Sequence, residues 1–410
     1  MSILKADQDR LWASLMAMAA IGATVGGGSN RLALSAEDGA ARDLLRGWCE
    51  AAGLTVTVDG LGSMFARRAG SDPWAPPVLL GSHLDTQPLG GRFDGVLGVL
   101  AALEAVRTLT DRDITTRAPI EIVNWSDEEG ARFLPAMMAS SVFAGAYRAD
   151  TLLAACDADG VSYGAALERI GYRGPAPIGG RKIGAYLELH IEQGPVLEGE
   201  GKTIGIVTAV QGFRALEVTV TGQSAHAGTT PMDRRKDALA AATSLLGRLY
   251  AIGHGTPDLR LTIGAIKLAP GSPSAIPGKA WFTIDMRHPS EAVLDQMRAR
   301  IDWAVAATLE QHDSCRIAIG GETATPAIKF DPWLLAAIRA AADGLSLPHR
   351  DMPSGAIHDA VFMATIAPAA MIFVPSRDGL SHNEEEYSSP EDCAAGASVL
   401  MNAAIAAANR

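Results

Sequence analysis

PPVLLGSHLDTQPLGGRFDGVLGVLAALEAVRTL, residues 76–109, joins two apolar patterns of different period through a turn-rich loop. PPVLLGSH has the length and continuity of a short buried strand, whereas GVLGVLAALEAVRTL spaces its apolar residues by three and four, as a helix does. Between them lie His83, Asp85 and Asp94, the last in FDG. A buried strand does not normally end on unpaired polar groups, so these residues either pair with one another or hold something that is not protein. Further along, PIEIVNWSDEEG and GAYLELHIEQG read as strands. Strands alternating with helices predict an α/β domain: a mostly parallel mixed sheet with helices on both faces.

From about residue 213 the texture changes. ALEVTVTG alternates like a half-exposed strand, MDRRKDALAAATSLLGRLYAIG is a long helix, and DLRLTIGAIKL and KAWFTIDMRH are two more strands. EAVLDQMRARIDWAVAATLEQH is a second helix and CRIAIGG a closing strand. That order, β-α-β-β-α-β, is the ferredoxin-like unit. After about residue 327 the α/β texture returns with a helix, the strand AAMIFVPS and a C-terminal helix. The expected organisation is a larger α/β domain of residues 1–212 and 328–410, interrupted by an inserted domain of residues 213–327.

The 410 residues are 48% hydrophobic and 20% charged, a globular composition. A net charge of -11 without any basic run argues against a nucleic-acid partner. Cys49, Cys156, Cys315 and Cys393 are far apart, which fits reduced thiols in the cytoplasm better than a disulfide framework. SLMAMAAIGATV has some of the look of a signal-peptide core, but Asp7 and Asp9 offset Lys5 and Arg10 before it, so it reads as an amphipathic helix. No apolar run approaches the ~20 residues needed to span a bilayer, and no membrane partner is expected. The GGGSN segment near residue 26 lacks both a preceding strand and the GK[ST] of a phosphate loop, and reads as a plain loop.

Open α/β sheets bind ligands beyond the carboxyl ends of their strands. His83 follows VLL, Glu128 and Glu129 follow IEIVNWSD, His190 lies in YLELHIE, and His382 follows MIFVPS through RDGLS. Singly, each has an ordinary structural reading: a lone histidine is more often a satisfied structural residue, and DEEG is usually a solvated turn. Jointly, His83, Asp94, Glu129, His190 and His382 form a ligand set suited to two zinc-like ions sharing the Asp94 carboxylate. Asp85, two residues along from His83, is placed to accept the imidazole's other N–H and fix its tautomer. Glu128 is then the free carboxylate, available as general acid/base. His254, His288, His312 and His349 sit in turn-like or exposed settings and are assigned no chemistry.

GSHLDTQPLGGRFDG, NWSDEEGARF, LELHIEQGPVLE, GQSAHAGTTPMDRRKDA, FTIDMRHP and GLSHNEEEY together resemble the dinuclear zinc amidohydrolases and metallopeptidases related to aminoacylases. More narrowly they resemble the branch containing L-N-carbamoylases, β-ureidopropionases and allantoate amidohydrolases, from about residue 30 to the C-terminus. The resemblance implies that His83, Asp94 and His190 hold one metal, that Asp94, Glu129 and His382 hold the other, and that Glu128 is the general acid/base. It implies that the inserted domain is a lid and dimerisation domain, whose His226 reaches the partner subunit's site and steadies the oxyanion. Gln193 is similar to the family's substrate-contacting glutamine, and Arg287 to the arginine that clamps the substrate carboxylate, a task suited to a planar fork. On residue type alone His226 reads equally as a capped turn histidine and Arg287 as a strand-end arginine.

Four positions depart from the family pattern. Ser274 stands in SAIPG where an asparagine binding the substrate carboxylate is usual, Ile357 replaces a glycine in SGAIHDA after Gly355, Val361 replaces a polar residue, and Ser63 replaces an asparagine after Gly62. None is a proposed metal ligand; Ser274, Gly355 and Ile357 are expected to bear on the substrate. The expected activity is hydrolysis of N-carbamoyl-L-amino acids to amino acid, ammonia and carbon dioxide by metal-activated water. The alternatives are an allantoate amidohydrolase, an N-acyl amino acid or amide hydrolase, and a non-enzymatic binding homologue. The expected cofactors are two divalent ions, zinc first, with manganese, cobalt or nickel suiting overlapping donors. The expected partners are a small substrate bearing a carboxylate and a second copy of the chain, as a homodimer.

Overall fold

In the computed structural model, which describes residues 3–410, the apolar runs become the middle of one sheet. The strands Ile120–Trp125, Val78–His83, Ala185–Ile191 and Ala369–Val374 lie side by side, mutually parallel, with every residue buried. Burial on both faces is why these strands read as near-continuous apolar runs instead of alternating. The antiparallel pair Thr55–Val58 and Met64–Arg68 extends one flank and Ile204–Val210, antiparallel to Ala369–Val374, the other. The sheet is therefore mixed, parallel in its centre. Helix Val96–Asp111 packs on Val78–His83 and Ala185–Ile191, and Pro390–Ala408 packs on that helix. SLMAMA does fall in a helix, Gln8–Ala19, capped by the Asp7 carboxylate and burying Leu11, Leu15 and Met18.

Contacts divide the chain into two units: one runs to Thr208 and resumes at Lys329, and the other is Ala209–Ile328. The second has its own core, including Leu216, Val218, Leu245, Phe282, Ile284, Met297 and Ile301. Its sheet runs in the order Ile266–Ala269, Lys279–His288, Gly212–Thr221, Arg316–Thr325, all neighbours antiparallel. Helices Ala238–His254 and Glu291–Gln311 pack on that sheet and on each other. Two sequence expectations change here. DLRLTIGAIKL is two strands, Arg260–Thr262 and Ile266–Ala269, which pair with Lys279–His288 in registers one residue apart, so Ile263–Ala265 bulges out. The helix expected from Met232 starts at Ala238, because the Asp237 carboxylate accepts the Leu239 and Ala240 N–H groups and ends the preceding loop.

A buried ion pair ties the first unit's outer helix to the loop that bears the glutamates. Arg42, on helix Ala36–Ala51, meets Asp38 at 2.9 Å with both side chains fully buried. The same guanidinium donates to the Gly62 carbonyl at 2.6 Å and to Ser126 Oγ at 3.0 Å. Such a pair contributes little net stability, but removing one partner strands a charge in the interior; its visible effect is to hold Ser126 in place, two residues before Glu128. Among the described residues no helix is long and apolar enough to cross a membrane, and all four cysteines are free.

Candidate metal centre

The central strands are parallel, so their carboxyl ends share one edge, and the candidate residues collect there. His83 is the last residue of its strand, His190 lies near the end of the next, and Glu128 and Glu129 follow Ile120–Trp125. Asp94 arrives just before helix Val96–Asp111. Asp94 Oδ1 is 3.1 Å from His190 Nε2 and 3.6 Å from His83 Nε2, and Oδ2 is 3.3 Å from His382 Nε2. His382 Nε2 is in turn 3.5 Å from Glu129 Oε2. Two groups thus offer ligand atoms within 4.8 Å of one another: His83, Asp94 and His190, and Asp94, Glu129 and His382. Asp94 belongs to both.

The donor chemistry fits divalent cations. His83 Nδ1 lies 2.9 Å from the Asp85 carbonyl and His190 Nδ1 2.9 Å from the Ile191 carbonyl, so each ring gives its N–H to the backbone. Each Nε2 then turns a lone pair inward, the tautomer a metal requires. The Gly95 N–H donates to His190 Nε2 at 3.2 Å, which requires the same tautomer.

Charge points the same way. Burial pushes Glu128 well above the usual carboxylate range, and the nearby charges of Asp359, Glu129 and Asp94 add to that against the pull of His83. Burial, then the Asp94 charge, pushes Glu129 up to about 7. Asp94 would be raised by burial too, but His190, His382 and His83 outweigh it and hold the carboxyl well below its ordinary value. His382, hydrogen-bonded to Asp94, is raised to about 9. So many carboxylates packed out of water call for compensating positive charge.

The Asp85 contact differs from expectation. Its carbonyl, not its carboxylate, takes the His83 N–H; Asp85 Oδ1 is 3.8 Å from that nitrogen. The carboxylate instead accepts the backbone N–H of Glu128 at 3.3 Å and of Glu129 at 3.2 Å. Asp85 therefore positions the glutamate pair through its carboxylate and the histidine through its carbonyl, which lies nearer the ring nitrogen than either carboxylate oxygen. Glu386, unremarked in the sequence, does the equivalent for Asp94, accepting the N–H groups of Phe93 at 2.8 Å and Asp94 at 3.1 Å. Gln87 was also missed: its amide donates to Glu129 Oε2 at 2.9 Å. Both stand inside motifs already singled out, GSHLDTQ and GLSHNEEEY, so position in the motif was the available signal.

Gly95 explains the FDG turn. It has φ +66°, and a Cβ built there would lie 2.2 Å from His83 Nε2. Gly95→Ala is expected to cost at least the ~1–3 kcal/mol of a residue forced into a disfavoured backbone region, and to displace His83. A lower denaturation midpoint together with weaker metal uptake is the expected result; an unchanged midpoint would contradict it.

Gln193 joins the cluster, its amide donating to Asp94 Oδ2 at 2.7 Å. Glu128 Oε2 is 3.5 Å from His83 Nε2 yet outside both triads. Ile357, 38% exposed, immediately precedes His358, whose ring centroid is 4.6 Å from that of His190. Around Gly355 a Cβ would meet nothing, while Val361 and Ser63 are buried. His226, Ser274 and Arg287 belong to the second unit. His226 is exposed, and its Nδ1 accepts the Gly228 and Thr229 N–H groups at 3.0 and 3.2 Å. Ser274 accepts from the Ala227 N–H at 3.0 Å through its carbonyl. Arg287 is held by Asp285 at 3.1 Å and lies over the Phe213 ring. Of the histidines left without chemistry, His288 is buried and not exposed, with Nε2 3.2 Å from the Pro257 carbonyl.

The sequence profile of peptidase family M20/M25/M40 matches residues 79–406. The chain belongs to this family. Its relatives include a Rhizobium meliloti protein named N-carbamoyl-L-amino-acid amidohydrolase, 48% identical over 98% of this chain and 96% of that protein. Another of that name, from Geobacillus stearothermophilus, is 39% identical over 96% of this chain and 97% of its own length. Among solved structures, a hydantoinase/carbamoylase family amidase from Burkholderia multivorans is 50% identical, with 99% of both chains covered and a TM-score of 0.93. The M20/M25/M40 match begins one residue into the strand that ends at His83 and closes in the last helix, so it contains every residue of both triads.

Proposed function

We propose that this M20/M25/M40 enzyme, a metal-dependent amidohydrolase, cleaves the ureido C–N bond of N-carbamoyl-L-amino acids. The observation that carries the reading is the pair of triads sharing Asp94, with Glu128 beside them, in a chain 48% identical to a protein named for that activity. His83, Asp94 and His190 would hold one ion, and Asp94, Glu129 and His382 the other. Nitrogen and oxygen donors suit zinc first, and manganese, cobalt or nickel as well. Divalent ions so held supply Lewis acidity and an acidified water able to attack a carbonyl near neutral pH.

Glu128 takes the water's proton and passes it to the departing nitrogen. Asp85 keeps that glutamate on station through its backbone N–H. Gln193 would orient the substrate beside Asp94, and Gly355 and Ile357 would bear on substrate choice. Residues 1–212 and 328–410 form the catalytic domain on this reading, and residues 213–327 a ferredoxin-like lid. The antiparallel strand order of the second unit and its two covering helices support the latter. Arg287 and Ser274 would meet the substrate carboxylate, and His226 would serve the partner subunit's site in a homodimer, stabilising the developing oxyanion. Free thiols support a reducing, cytoplasmic setting.

The test is ammonia release by metal-loaded protein from N-carbamoyl-L-amino acids, β-ureidopropionate and allantoate, beside N-acetyl and N-formyl amino acids scored for free amine. Release from the carbamoyl compounds that a chelator abolishes is the expected outcome. Amine release from the acyl compounds alone would overturn the carbamoylase reading.

A further inference from the structure

His382 is the weak point of the cluster. Its side chain is 49% exposed, against 1% for His83 and His190 and 5% for Asp94 and Glu129, and its backbone sits at φ +54°. A non-glycine residue held there persists only where its surroundings over-determine it. The GGGSN loop meets the same segment two residues on, at Glu384.

Several contacts lock three loops together. The Thr24 hydroxyl donates to Glu384 Oε1, two residues after His382, and accepts the Gly28 N–H at 2.9 Å. Ser29 and Gly90 exchange both backbone hydrogen bonds at 2.9 Å, joining the loop to the segment between His83 and Asp94. The glycines are what make this fit: a Cβ on Gly28 would lie 2.3 Å from the Gly90 carbonyl oxygen and 2.8 Å from Glu384 Cα, and one on Gly26 would lie 2.5 Å from the Glu384 carboxylate. Close approach thus accounts for Gly26 and Gly28, while Gly27 has room for a side chain but sits at φ +89°, where glycine is favoured.

We infer that the glycine-rich segment Gly22–Ser29, through its Thr24–Glu384 contact, is a positioning brace for His382, and that this contact sets the affinity of the Asp94–Glu129–His382 ion separately from that of the His83–Asp94–His190 ion. The inference rests on the two-ion reading of the site. Thr24 touches no candidate ligand, so it acts only by fixing the loop on which His382 stands. Two ligands of the first triad, His83 and His190, need no such help, because they are buried in strands whose neighbours hold them.

Stepwise zinc titration of the metal-free full-length chain by calorimetry, with wild type, Gly28→Ala, Thr24→Val and Thr24→Ser, separates the possibilities. Wild type is expected to take up two ions in resolvable steps. Thr24→Val should weaken one step by about 10-fold, the low end of what losing an outer partner of a ligand costs because Thr24 acts through Glu384, and leave the other step unchanged. Thr24→Ser, which keeps the hydroxyl, should restore it. Gly28→Ala, whose Cβ would also press on Gly90 in the loop leading to the shared Asp94, should weaken both steps. In Thr24→Val a merely structural role would lower the melting temperature and weaken both steps together, or neither, and either result overturns the brace. Should Gly28→Ala fail to fold, the isosteric Thr24→Val decides alone. Fewer than two ions on wild type would refute the two-ion reading itself, and the brace with it, whereas two ions on wild type with no selective loss in the variants would refute only the brace.

Discussion

Glu128→Gln is expected to keep both ions and lose turnover by about 10²–10⁴-fold, the usual contribution of a positioned general acid/base. Glutamine preserves shape and the backbone hydrogen bond to Asp85, so the neighbouring Glu129 stays in place. It removes only the capacity to accept a proton and return it. Glu128 lies 3.5 Å from His83 Nε2 but offers no atom to either triad, so metal content should hold. The check is kcat at saturating substrate alongside metal analysis of the same preparation. A variant within a few-fold of wild type would remove Glu128 from the proton-transfer role, and one that lost metal would make it a ligand.

Asp94→Ala should be the more damaging change to metal binding, because its two oxygens serve different triads. Oδ1 faces His83 and His190 while Oδ2 faces His382, so truncation removes one ligand from each site at once. The expected loss in affinity exceeds about 100-fold at both sites, the upper end of what removing an outer partner costs, and activity should vanish with it. His382→Ala provides the contrast, since it takes a ligand from one triad only and should leave the other ion bound. Retention of one full ion by Asp94→Ala would show that the carboxylate is not shared.

The residues that the sequence made legible are those whose role depends on strand period and strand end. VLLGSH, IEIVNW, AYLELHI and AAMIFV read as strands of a largely parallel sheet covered on both faces, and polar groups placed just beyond parallel strands gather at one edge. Less legible was which atom of a residue does the work. Asp85 satisfies His83 through its carbonyl, and a spacing of two residues does not distinguish a carbonyl from a carboxylate. Glu386 and Gln87 were hidden because their partners are backbone N–H groups and a carboxylate brought close only by tertiary folding. The one-residue bulge at Ile263–Ala265 was likewise invisible, since it is set by pairing with Lys279–His288 and not by any local turn residue pattern. His226 and Arg287 carried no signal of their own type or spacing; only the family resemblance singled them out.

The most direct test of the shared-carboxylate centre is anomalous diffraction from crystals of zinc-loaded protein, collected on both sides of the zinc absorption edge. Two peaks are expected, one among His83, Asp94 and His190 and one among Asp94, Glu129 and His382. A single peak, or peaks away from Asp94, would contradict the account.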